Sequence, residues 1–423
     1  MSHFSYQGNQ LFCENVSVES IAQKQGTPLY IYSYQYLVEQ YQELTTAFAK
    51  QDHLICYSMK ANSNIAIVKT FVDSGAGADV VSAGELRRAL AAGCPANKIV
   101  FSGVGKTSED IHFAIDQGIL QFNVESEQEL HNIQRISAFL DKKANIAMRV
   151  NPDVDAKTHP HISTGLKENK FGVGHTKALE LYELAQNMSH IEITGIDYHI
   201  GSQITEVGPF KAAAKKIKSL VQAIQKKGIA LKYIDIGGGL GIDYGNNPTI
   251  SAQEYADAIL GELKDLKLTL ILEPGRFLTG NSGIFVTKVV YLKKNDDGKH
   301  FTIVDGAFND LMRPALYQAH HNIQPVVQIK DRPTVKTNIT GPVCETTDFF
   351  AKDRGLPLTG PGEFLAILST GAYGMSMAST YNSRPRPTEV LVKDKMFYVI
   401  RKPDRMEDIT GRETLPEFLK DRS

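Results

Sequence analysis

The sequence is short of several things, and each shortage closes a class of explanation. Its four cysteines, Cys13, Cys56, Cys94 and Cys344, are scattered and form no CxxC pair. That argues against a disulfide frame or a structural zinc and for a reduced cytoplasm. Charge of either sign is not in excess: 46 basic residues face 47 acidic ones, a net of −1, so neither nucleic acid nor an anionic membrane is the expected partner. No apolar run is long enough to span a bilayer, and the opening MSHFSYQGNQ lacks a basic-then-apolar leader pattern. The expected location is cytoplasmic, with no membrane association. Low-complexity stretches and close repeats are also missing.

What is present is ordinary in amount: 423 residues, 42% hydrophobic and 22% charged, too long for one core of usual size and so expected to form two domains. Short apolar runs alternate with amphipathic segments. The runs are LICYSMK (54–60), GADVVS (77–82), KIVFSG (98–103), LQFNVES (120–126), NIAMRVN (145–151), IEITGIDYHI (191–200), LKYIDIGG (231–238) and LTLILEP (268–274). Seven stretches with three- and four-residue apolar spacing, such as FKAAAKKIKSLVQAIQKKG, fall between them. Eight β-then-α units of this size predict an α/β fold, a parallel (β/α)8 TIM-type barrel over 34–279. A doubly wound open sheet is the alternative. Beyond Arg276, segments such as SGIFVTKVVYLKK and KMFYVIRK alternate and are β-branched, predicting a mostly antiparallel β-sandwich or barrel-like C-terminal domain. PLYIYS near the start belongs with it by pattern, so this β domain is expected to be discontinuous, 1–33 and 280–423.

In a barrel, function sits where strands end. The polar residues there are Lys60, Asp79, Ser82, Ser102, Asn123, Glu125, Arg149, Asn151, His199, Ser202, Gly237 to Gly239, Glu273 and Arg276. Lys60 closes an apolar run, and ammonium groups are costly to bury. It is either a paired or snorkelling lysine, or one whose charge is depressed by burial or lost in a Schiff base. IDIGGGLG (234–241) fits neither the dinucleotide nor the nucleotide glycine motif, yet successive backbone N–H groups there can surround a phosphate; a plain tight turn is the simpler reading. Glu273 could pair with Arg276 alone, or keep a pyridine nitrogen protonated. His199 could be a satisfied cleft histidine, a ring-stacking group or a general acid–base. Together, a lysine, a glycine cradle, a carboxylate and an imidazole at the ends of different strands describe a pyridoxal-phosphate site.

A series of motifs then becomes informative: YSMKAN, ADVVSAGEL, RVNPDVDAKTHPHISTGLKENKFG, HIGSQ, GGGLG, EPGR, RPALY (313–317), GPVCETTD (341–348), GAYG (371–374) and YNSRPRP (381–387). In this order, over nearly the whole chain, they resemble the diaminopimelate decarboxylases, within the alanine-racemase-like, barrel-type pyridoxal-phosphate enzymes. The resemblance implies decarboxylation of meso-2,6-diaminopimelate to L-lysine and CO2, the last step of bacterial lysine biosynthesis. It implies that Lys60 carries pyridoxal 5'-phosphate, His199 stacks on its ring and Glu273 meets the ring nitrogen. Ser202, Gly238, Gly239, Gly275 and Arg276 would hold the phosphate, with Tyr373 nearby and Asp79 as a supporting neighbour. Cys344 would act at the reacting centre, contributed across the interface of a homodimer. On charge grounds Arg276 and Arg313, with Tyr317, suit the substrate's far carboxylate, Glu345 suits its far ammonium, and Tyr373 lies close by.

The rivals are sister decarboxylases for ornithine, arginine, carboxynorspermidine or a carrier-bound amino acid; a cofactor carrier without catalysis; and a metal-dependent hydrolase. Two arginines and Glu345 disfavour the first three substrates, and the β domain would be superfluous in a carrier. No metal is expected. The segment HPHISTG (159–165), with Asp153 and Asp155, lacks helical ligand spacing and by resemblance is a mobile loop over the site.

Overall fold

Eight apolar runs bounded by turn residues become eight parallel strands in the computed structural model, which describes residues 3–155, 170–245 and 248–420. They are β1 (His53–Ser58), β2 (Gly77–Val80), β3 (Ile99–Phe101), β4 (Gln121–Val124), β5 (Ala144–Arg149), β6 (Ile191–Asp197), β7 (Tyr233–Asp235) and β8 (Thr269–Leu272). The sheet closes, because β8 pairs with β1 at Leu270 and His53. Closure excludes the open doubly wound alternative. Seven helices lie between successive strands among the described residues. Their starts are written in the sequence: Ser82, Ser126 and Ser251 each accept a hydrogen bond from the third helical N–H, and Thr107 forms a capping box with Asp110. Each such cap is worth about 1 kcal/mol.

The strands are shorter than their apolar runs. Ladder pairing stops at Ser58, Asp197 and Asp235, and Met59, Tyr198 and Ile236 just beyond still donate to Asp79, Asp235 and Ile271 carbonyls of the next strand.

The chain divides into two compact units. The barrel unit comprises Tyr34–Ser282 together with Gly371–Tyr373. That short segment is tied to it by Tyr373 N–H to Ala61 O at 2.8 Å, Gly371 N–H to Gly280 O at 3.0 Å, and the Asn62 amide to Gly371 O at 3.2 Å.

The β unit is built on a nine-stranded sheet, mostly antiparallel. An interior strand, Leu29–Ser33, pairs antiparallel with Gly283–Lys294 and parallel with Thr388–Lys393. Alternation along LYIYS explains the position. Leu29 and Ile31 enter a core with Leu11, Ile21, Ile284, Val286, Val390 and Val392. Tyr30 and Tyr32 face the other way, their hydroxyls donating to Asp310 O at 2.6 Å and Glu389 Oε1 at 2.8 Å. Each fully buried large apolar side chain in that core contributes about 1.5–3 kcal/mol.

Candidate active site

A cavity of about 570 Å3, including its open mouth, lies at the C-terminal ends of the barrel strands. Its lining includes Lys60, His199, Ser202, Gly238, Gly239, Glu273, Gly275, Arg276 and Tyr373. These come from loops after β1, β6, β7 and β8 and from the GAYG segment, so the fold brings together every cofactor-binding candidate of the sequence analysis.

Lys60 sits two residues past β1, its side chain 42% exposed and its Nζ 3.4 Å from Asp79 Oδ2. Asp79 is fully buried on β2, opposite Ser58, whose hydroxyl donates to the same oxygen at 2.8 Å. Desolvation pulls the ammonium down, but Asp79, then Tyr373 and Glu273, outweigh it and hold Lys60 above the ordinary lysine value. Of the sequence readings, the geometry thus sides with a paired ammonium over one depressed by burial.

The glycines after β7 form a cradle that tolerates no side chain. A Cβ on Gly238 would lie 2.3 Å from Glu273 O, and one on Gly239, at φ +114°, 2.6 Å from Gly201 O. The Gly238 N–H donates to His199 Nδ1 at 3.2 Å, which leaves the proton of the neutral ring on Nε2. Burial first, then Arg149 and Lys60, hold this imidazole well below its ordinary pKa. Opposite, Arg276 donates through Nε and Nη2 to Ser202 Oγ, at 3.3 and 3.1 Å, and through Nη1 to the Tyr244 hydroxyl. Its guanidinium lies over the Tyr373 ring at 5.0 Å. The Glu273–Arg276 pair considered from sequence alone is not the bond that forms.

Glu273 is held from across the barrel. Its Oε1 accepts from Ser102 Oγ at 3.0 Å and from Asn123 Nδ2 at 3.1 Å. The amide of Asn123 is itself oriented, because its oxygen accepts from Gln121 Nε2 at 3.0 Å and its nitrogen also reaches Asp235 Oδ2 at 3.1 Å. Carboxylate oxygens of Asp197, Asp235 and Glu273 lie within 4.8 Å of one another. Arg149 sits beside them, 3.7 Å from Asp197, while bonding Glu125 at 2.7 Å. Burial, then Asp79, push the Glu273 carboxyl up to about 7, against the pull of Lys60 and Arg149. Burial and Glu273 likewise push Asp197 and Asp235 well above the carboxylate range. Such a cluster shares protons or receives a cation.

Sequence reading missed Asp197 and Asp235. The available signal was an acidic residue inside an otherwise apolar strand, repeated in IDYHI and IDIGG; the two are register partners. Two rim candidates serve the backbone instead. Ser82 caps a helix, and Asn151 Oδ1 accepts from Asp153 N–H at 2.9 Å.

The remaining candidates belong to the β unit. Arg313 opens the short helix Arg313–Tyr317 and is buried; Tyr317 is half-buried. Cys344 and Glu345 are exposed in a loop whose base is pinned by Asp348, which accepts from Phe308 and Val343 N–H at 2.8 and 2.7 Å. Asp348, the last residue of GPVCETTD, thus has a structural task that the sequence reading did not assign. Segment 159–165, with its metal and mobile-loop readings, lies outside the described residues.

The donor set suits a flat, phosphorylated aldehyde: an amine, a carboxyl for a ring nitrogen, a neutral imidazole, and a glycine–serine–arginine cradle that any Cβ would fill. Comparison with known proteins agrees. Residues 34–280 match the family described as "Pyridoxal-dependent decarboxylase, pyridoxal binding domain", and the chain belongs to that family. More narrowly it groups with the diaminopimelate decarboxylases. It is 48% identical over 408 residues to the diaminopimelate decarboxylase of Aquifex aeolicus, covering 96% of each chain. It is 44% identical to the diaminopimelate decarboxylase of Helicobacter pylori solved with L-lysine, with TM-score 0.90, covering 93% of this chain and 98% of that one. Against the M. jannaschii enzyme the figures are 36% identity and TM-score 0.94, with 98% of each chain covered.

Proposed function

We propose that this protein removes one α-carboxyl of meso-2,6-diaminopimelate, giving L-lysine and CO2, with pyridoxal 5'-phosphate as cofactor. The observation that carries the reading is the convergence of Lys60, His199, Glu273 and the glycine–Ser202–Arg276 cradle on one cavity. When bound, the cofactor supplies a sink for the electron pair left as the carboxyl departs.

In this reading Lys60 anchors the cofactor, with Asp79 beside its amine. Glu273, steadied by Ser102 and Asn123, faces the ring nitrogen. His199, neutral because of its surroundings, covers one ring face without adding charge. Ser202, Gly238, Gly239, Gly275 and Arg276 hold the phosphate, with Tyr373 packed over Arg276. Arg313 and Tyr317, together with the charge of Arg276, receive the carboxylate that is not lost, and Glu345 receives the far ammonium. Cleavage of the Cα–CO2 bond leaves its electron pair at that carbon; the Cys344 thiol delivers the proton that takes its place.

Cys344 and Glu345 are exposed in the single chain, which supports a homodimer in which they complete a site. Four unpaired cysteines support a reducing, cytoplasmic setting, and no helix among the described residues is long and apolar enough to cross a membrane.

The test is CO2 release from meso-diaminopimelate, ornithine, arginine and carboxynorspermidine in parallel, with cofactor added. Release from the first alone, with lysine as product, is expected. Release from another substrate would retain the cofactor site and overturn the carboxylate assignment to Arg313.

A further inference from the structure

Arg313 has an unusual companion. Its Nη1 lies 3.0 Å from His321 Nε2, and His321 Nδ1 lies 2.8 Å from the Leu368 carbonyl oxygen, with the imidazole fully buried. Chemistry leaves one assignment. A guanidinium only donates and a carbonyl only accepts, so His321 carries its proton on Nδ1 and offers the Nε2 lone pair to Arg313. The ring is neutral and of fixed tautomer.

Its position is set by the sheet. Strand Ile323–Pro325 pairs antiparallel with Phe364–Ile367, matching Ile323 with Ile367. One step further along, Leu368 N–H donates to Asn322 O at 2.8 Å. The carbonyl that holds the imidazole therefore belongs to a ladder-fixed residue. Arg354, on strand Phe349–Pro357, fastens the same backbone by donating to His321 O at 2.8 Å.

We infer that His321 is the positioning residue for substrate specificity: it aims the Arg313 guanidinium at the carboxylate the substrate retains, without neutralising it. This rests on the reading of Arg313 given above. A carboxylate in the same place would orient the fork equally well but cancel the charge that the substrate must meet. An apolar residue would keep the charge and lose the aim. A neutral acceptor does both tasks, and an imidazole anchored at its far nitrogen does so rigidly. The device distinguishes amino acids from diamines, since only the former present a carboxylate to Arg313.

The experiment uses the holoenzyme and two competitors of similar reach. L-lysine keeps the carboxylate; cadaverine lacks it. In His321→Leu, inhibition by L-lysine is expected to weaken about tenfold or more. KM for meso-diaminopimelate should rise in parallel with kcat little changed, and inhibition by cadaverine should stay the same. His321→Gln, which has both an acceptor and a donor, should recover most of the loss. Equal weakening of both competitors, or no change in either, would overturn the inference.

Arg313→Gln separates the two readings. If it leaves L-lysine inhibition intact, the assignment of Arg313 itself fails; if it weakens that inhibition while His321→Leu does not, only the positioning role fails. Should His321→Leu not fold, the tautomer is read directly from 15N-histidine spectra of the unmodified protein, assigned with His321→Gln. A protonated Nδ1 and bare Nε2 are expected, and the opposite tautomer would refute the aim.

Discussion

The barrel mouth and the loop at 344–347 carry chemistry in opposite ways. In the mouth, polar groups are fixed by partners on other strands, several from across the barrel: Asn123 bonds Ser102, Asp235 and Glu273, and its own oxygen is held by Gln121. In the loop, Cys344 and Glu345 face solvent. Their local bonds are few, such as Thr347 Oγ1 to Glu345 Oε1 at 2.7 Å and Cys344 N–H to Asn382 Oδ1 at 3.4 Å. Groups on strands acquire their geometry when the chain folds, whereas groups on an exposed loop acquire theirs from whatever packs on it. In the proposed reading, the comparison separates a pre-built cofactor seat from a loop whose reactive groups would be completed by a second copy of the chain.

Three measurements would break or sharpen that contrast. The largest effect is expected from Gly238→Ala. Its Cβ would meet backbone oxygen at 2.3 Å, so the cradle must shift, and the purified protein should fail to retain cofactor at any protein concentration. Normal cofactor absorption in this variant would mean that the seat is not rigid.

Next comes Cys344→Ala, expected to lower kcat by about a hundredfold or more while cofactor absorption and melting temperature stay near those of the unaltered chain. Loss of cofactor here would erase the distinction between seat and loop. Unchanged turnover would remove Cys344 from the proton step.

The smallest effect is in the pH dependence of the cofactor-free protein. With its carboxyl raised from 4.5 to about 7 in the fold, Glu273 binds more proton folded than unfolded across that window. Its contribution to stability is therefore full below about pH 4.5 and is lost as pH rises through 7. Denaturation of Glu273→Gln should show that part of the slope gone, by up to about 1.4 kcal/mol per pH unit. An unaltered slope would place the shared proton on Asp197 or Asp235.

Much of the fold was legible because it rests on local rules. Runs such as LTLILEP and caps such as Ser251 announce strands and helix starts independently of tertiary context, and polar residues at strand ends mark the mouth. What stayed hidden depends on contacts between distant strands. The state of Lys60 could not be read from YSMKAN, because Asp79, nineteen positions on, decides it. Asp197 and Asp235 looked like parts of apolar strands until the barrel register set them side by side. Arg313 could be assigned a task from RPALY and substrate charge, but the imidazole bonded to it is fixed by a β ladder near residue 368.

The interior strand Leu29–Ser33 of the β unit finds its antiparallel partner at Gly283–Lys294 and its parallel one at Thr388–Lys393. At ordinary synthesis rates the second partner emerges on the order of tens of seconds after the first strand. The barrel can close while that strand still waits, an apolar LYIYS with both edges unpaired. Birth order therefore makes the chain's beginning its last piece to be finished, and its period of greatest exposure to aggregation falls before its C-terminus has been made.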